Sequence, residues 1–102
     1  MYVLVSQEGG RPQVEIEDSD NLQQLHVEFR GVDDDAATAA LGASGVGTVE
    51  EDHVWLHIAS LRGAGDPKGD WIERFDAMVS YAKSKDLVDA EGVRVRSHIV
   101  RN

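Results

Sequence analysis

Three short segments of this chain separate apolar from polar side chains with a period of two, and this sorting constrains the fold more than any other feature. In residues 24–30, Leu25, Val27 and Phe29 alternate with His26, Glu28 and Arg30. In residues 53–59, Val54, Leu56 and Ile58 alternate with His53, Trp55 and His57. In residues 93–99, Val93, Val95 and Ile99 alternate with Arg94, Arg96 and His98, and Ser97 interrupts the apolar set. Successive side chains of a strand point to opposite faces, so each segment predicts a β-strand with one side in a core and the other left to polar chemistry.

The remaining elements follow from local signals. Residues 1–6 read as an apolar strand, Gly9-Gly10 as a tight turn needing positive φ, and Val14 and Ile16 as one face of the returning strand. Asp33-Asp34-Asp35 before an alanine run predicts a capped helix stopped near Gly42 and Gly45. Residues 46–49 form a second hairpin with the 53–59 strand, and residues 61–69 read as a glycine-rich loop. Trp71, Ile72, Phe75, Met78, Val79 and Ala82 recur every three to four residues, the stripe of an amphipathic helix. Asp70, with Glu73 three residues on, is the expected cap, and Tyr81 is expected to be half-buried beside the stripe.

After the N-terminal hairpin the order is β-α-β-β-α-β. It predicts an α+β fold of the ferredoxin-like split βαβ type: one antiparallel sheet with two helices on one face, as a single domain over residues 1–102. In that arrangement the 24–30 strand lies between the 53–59 strand and the C-terminal strand. All four histidines, Trp55, Glu28, Arg30, Arg94 and Arg96 then share the face without helices. That order carries no function by itself.

Composition excludes several classes. With no cysteine there is no disulfide scaffold, thiolate catalysis or Cys-based zinc site, which fits a cytoplasmic protein. No apolar run approaches the roughly 20 residues of a membrane span or the 7–15 of a secretory h-region. A net charge of −9 opposes nucleic acid and anionic membranes. The charge is lopsided: residues 1–52 carry a net −10 and residues 53–102 a net +1, which makes a basic protein partner conceivable.

Motif tests return no cofactor or metal. His53 and His57 have the spacing of a helical zinc pair, but on a strand their Cα atoms are about 13 Å apart at roughly 3.3 Å per residue. Asp33-Asp34-Asp35 lacks the spaced ligands of a calcium loop. The segment 63–69 fits neither glycine-rich phosphate motif, and no serine sits in a nucleophile elbow. The residues singled out are therefore the face itself: His26, Glu28, Arg30, His53, Trp55, His57, Arg94, Arg96 and His98. Tryptophan and arginine are enriched among interface hot spots, so the first expectation is a non-enzymatic module for protein binding or self-association. A small-molecule-binding protein or small enzyme using the same His/Arg cluster is the alternative. Nucleic-acid binding through Arg94, Arg96 and Arg101 ranks last.

Overall fold

The computed structural model describes residues 1–102. The chain runs β1 (Tyr2–Glu8), β2 (Arg11–Glu17), β3 (His26–Arg30), α1 (Asp34–Ser44), β4 (Gly47–Glu50), β5 (His53–His57), α2 (Ile58–Arg62), α3 (Trp71–Ser84) and β6 (Arg94–Arg101). All six strands join one mixed sheet in the order β2-β1-β3-β6-β5-β4, curled into a half-barrel. β1–β2, β4–β5 and β5–β6 are antiparallel, whereas β1–β3 and β3–β6 are parallel.

This topology overturns the ferredoxin-like expectation, which required an antiparallel sheet with the 24–30 strand between the 53–59 and C-terminal strands. Instead β6 lies between β3 and β5, and the N-terminal hairpin extends the sheet beside β3. The physical reason lies in β1. Val3 and Val5 are fully buried on one face and Leu4 is 8% exposed on the other. A strand apolar on both faces belongs inside a sheet, and β1 gains two neighbours only by taking one edge of β3. The eight-residue β6 then serves two partners. Its C-terminal part pairs with β3 (Val27↔Ile99, Phe29↔Arg101), and its N-terminal part pairs with β5 (Leu56↔Val95, Trp55↔Arg96). Strands staggered in this way tilt and curl a sheet.

There are three helices rather than two, and their buried residues share one core with the sheet: Ala37 and Leu41 from α1, Leu61 from α2, Trp71, Phe75 and Ala82 from α3. The strand phase is as the alternation requires, with Val27, Val54 and Leu56 fully buried. Two residues depart from it: at Ile58 the chain turns from β5 directly into α2, which replaces the end of one expected strand and the start of the expected loop, and Val93, expected inward in the last strand, precedes β6 and is 45% exposed.

Asp33 caps α1 by accepting the Ala36 N–H at 2.8 Å, and Gly45 ends the helix at φ 73°. The expected cap on α3 is absent: the Asp70 side chain accepts no backbone N–H and instead pairs with Arg74 at 3.3 Å. What anchors α3 is Trp71, 2% exposed, stacked on Phe75 at 5.2 Å, with its indole N–H donating to the Ser19 carbonyl at 2.8 Å. No helix is long and apolar enough to cross a membrane.

Candidate functional site

The sheet face opposite the helices is exposed at Arg96 and His98, whereas Leu4 and Glu28 on it are buried. Strand register sorts its side chains into rows. One row crosses the whole sheet as Glu17, Tyr2, His26, His98, His53 and Glu50, one residue from each strand. Three imidazoles occupy its centre and a carboxylate each end. Tyr2 stacks on His26 (5.0 Å between centroids, 8° between planes), and His26 lies 5.8 Å from His98. Neighbouring strands are about 4.8 Å apart, so imidazoles in a row lie along a line and do not converge on a point. Accordingly, no three His, Asp or Glu side chains are placed to hold a metal ion.

All nine residues singled out from the sequence lie on this face, but they fall into three groups with different chemistry. Glu28, 8% exposed, is engaged by Arg30 and lies 3.9 Å from His26 Nε2. Burial holds the His26 imidazole below its ordinary pKa, His98 pushes it further the same way, and Glu28 opposes them. This group is a closed ion-pair cluster.

At the far end, Arg94 lies opposite His57 and binds Asp89 at 3.3 Å. Asp89 also accepts the backbone N–H groups of Arg94 and Val93, which together hold its carboxyl below the usual range. Arg94 is thereby committed to the turn leading into β6.

The middle group differs. Trp55 is half-buried, meets the edge of His53 at 5.9 Å, and faces Arg96 across the β5–β6 ladder. Five of the seven arginines (Arg30, Arg62, Arg74, Arg94 and Arg101) pair with a carboxylate; Arg96 and Arg11 do not. Arg11 closes the first hairpin opposite Glu8, whereas Arg96 is exposed beside two imidazoles. The three arginines considered for nucleic acid form no basic stripe, since Arg94 is held by Asp89, and Arg101 is held by Asp34 through two hydrogen bonds of 3.0 and 3.1 Å at the opposite end of β6.

Sequence reasoning missed what lies beside Arg96. β3 begins only at His26, so the first half of β6 has no β3 partner, and Leu25 and Leu87 approach it instead. The Ser97 hydroxyl donates to the Leu25 carbonyl at 3.0 Å, and the Arg96 N–H donates to the Leu87 carbonyl at 2.7 Å. A cavity of about 280 Å³ opens there, lined by Leu25, His53, Leu87, Arg96, Ser97 and His98. A second cavity of about 170 Å³ shares Leu25, Leu87 and Arg96 with it and runs under α3, where Met78, Val79 and Tyr81 line it. Tyr81 was expected to be half-buried but is 65% exposed at its rim.

The largest depression, about 630 Å³, lies between residues 20–23 and α3. Its one cation, Arg74, is tied to Asp70 and lies near Asp20, so it offers no free charge. Tyr2 and Leu4 also lie on the open face, beside His26 and Glu28, which the unbroken apolar run of residues 2–5 does not signal. Nothing in the sequence signalled the cleft, which exists only because β3 starts late against β6.

These features define a class in structural terms only: a mixed-sheet half-barrel with an open face bearing histidines. No protein-family model matches the chain, and no curated protein or solved structure matches it either.

Proposed function

We propose that the protein is a non-enzymatic binding module that works through the helix-free sheet face, with contact centred on Trp55 and Arg96 and an acidic group supplied by the partner. The single observation that carries this reading is the unpartnered Arg96 guanidinium beside a half-buried indole, in a chain where five other arginines are neutralised. A tryptophan and an arginine in one cross-strand pair form the type of anchor that dominates binding interfaces. Binding fits better than chemistry because the hydrogen-bonded Ser and Thr hydroxyls all donate to backbone carbonyls and none to an imidazole that could activate it.

The geometry favours a different molecule over a second copy. Glu15 and Glu17 lie on the β2 edge of the face and Glu50 on the β4 edge. A two-fold axis along the strands lays β2 on β4, and one across the strands lays each edge on itself. Either way acid meets acid, on molecules that each carry −9. Cytoplasmic location is part of the same proposal, supported by the cysteine-free composition.

The test is an NMR titration of isotope-labelled protein with the acidic peptide acetyl-Asp-Leu-Asp-amide and its Lys-Leu-Lys counterpart. The expected result is saturable shifts at the Trp55 indole and around Arg96 with the acidic peptide only, lost in Arg96→Gln. Equal shifts with the lysine peptide, or shifts scattered away from β5 and β6, would overturn the reading. Sedimentation of the free protein should show a monomer; a dimer abolished by Trp55→Ala would replace the proposed partner with a second copy.

A further inference from the structure

We infer that the cleft beside Arg96 is a site for a small amphipathic carboxylate, with its head group on the Arg96 guanidinium between His53 and His98 and its apolar body in the cavity under α3. This rests on the reading of the Trp55–Arg96 region as the working surface and names the ligand class that fits it.

Two neighbouring cavities that share Leu25, Leu87 and Arg96 carry the inference. The outer one, about 280 Å³, is walled by His53, Arg96, Ser97 and His98. The inner one, about 170 Å³, has eight hydrophobic residues among its ten, and Arg96 is its one charged residue. Arg96 belongs to both linings, so a single charge-assisted contact there can anchor a molecule whose remainder is apolar. Arginine presents a planar fork that matches a carboxylate. The polar wall offers no competing anion, because the Glu28 carboxylate is engaged by Arg30 and Asp89 by Arg94.

The floor is fixed by hydrogen bonds already made. The Ser97 hydroxyl proton is spent on the Leu25 carbonyl, so it is not offered to a ligand. Size sets the chain length. At roughly 30 Å³ for a water-sized group, the inner cavity takes about six carbon-sized groups. That excludes acetate as a full occupant and is filled by a medium-chain acid.

Octanoate is the probe, measured by isothermal titration and by NMR on the full chain, with acetate and octylammonium as controls. The expected result is saturable octanoate binding that shifts Leu25, Met78, Leu87 and Arg96. Acetate should bind at least tenfold more weakly, and octylammonium should not bind in the cleft. Arg96→Gln is expected to weaken octanoate about tenfold or more, the scale of a charged hydrogen bond. A second variant, Ala82→Leu, fills the inner cavity and is expected to weaken octanoate while leaving acetate unchanged.

Octanoate binding unaffected by Arg96→Gln, or matched by acetate, would overturn the inference, as would shifts confined to the 630 Å³ depression beside Arg74. If octanoate fails while the acidic peptide still shifts Trp55 and Arg96, this inference falls and the binding-module reading stands. If both fail, both fall.

Discussion

Gly65 lies against the face of the Trp71 indole, and the Gly65→Ala substitution tests whether the loop before α3 is packed or free. A Cβ at position 65 would lie 2.1 Å from Cε2, 2.2 Å from Cδ2 and 2.3 Å from Cζ2 of that ring. Carbon atoms in contact prefer about 3.5–4.0 Å, so the loop and ring must separate by roughly 1.4 Å. Trp71 cannot yield easily, because it is 2% exposed, stacked on Phe75 and hydrogen-bonded to Ser19. Overpacking of this kind costs about 1–3 kcal/mol, offset by about 0.4–1 kcal/mol from the stiffer unfolded chain, for a net loss of roughly 1–2 kcal/mol.

Gly63, two residues earlier, provides the control. Its added Cβ meets nothing closer than 3.7 Å and its φ is −77°, so Gly63→Ala is expected to be neutral or stabilising by up to about 1 kcal/mol. Urea denaturation reads the difference as a midpoint lowered by about 1 M for Gly65→Ala, using a slope of about 1–3 kcal/mol/M. In a Trp71→Leu background the clash partner is gone and the two alanine variants should converge. Equal midpoints for Gly65→Ala and Gly63→Ala in the parent protein would mean that the loop does not pack against the Trp71 ring. The outcome bears on the cleft too, because Trp71 ties α3 to the 19–23 segment, whose Leu22 and Gln23 wall the inner cavity.

Three further outcomes are expected. Asp33→Ala should cost about 0.5–2 kcal/mol as a lost helix cap, whereas Asp70→Ala should cost no more than the roughly 0.3–0.5 kcal/mol of an exposed i,i+4 pair; thermal melts of the two variants compare them directly. Ser97→Ala removes the donor to the Leu25 carbonyl at a 5%-exposed site, and should cost about 1 kcal/mol and speed amide exchange where β3 meets β6. His26 has a lowered pKa in the folded state, so below its ordinary value of 6.5 the unfolded chain binds a proton that the folded chain refuses. Its contribution to stability is complete above pH 6.5 and is lost as pH falls from there towards the lower folded value. Urea midpoints of His26→Gln should be flatter across that window than those of the parent. NMR titration should show the His26 pKa raised by His98→Gln and lowered further by Glu28→Gln, because His98 lowers it and Glu28 raises it; unchanged values in both variants would contradict the assigned causes.

Strand phase was readable from residue order alone, and with it which side chains meet water. Val54 and Leu56 had to go inward once His53, Trp55 and His57 went outward, because the period of a strand is two residues and burying imidazole and indole nitrogens without partners is costly. The Gly9-Gly10 turn, the Asp33 cap and the stripe of α3 were legible for the same reason: each is settled by neighbours within a few residues. Strand order was not legible, because an edge of β3 accepts β1, β5 or β6 with equal backbone chemistry. Only the three-dimensional competition for burial, led by the doubly apolar β1, decided among them. The same holds for charge. Arg30, Arg94 and Arg96 look alike in the sequence, and tertiary placement alone gives Glu28 to the first and Asp89 to the second and leaves the third free beside an apolar-lined cavity.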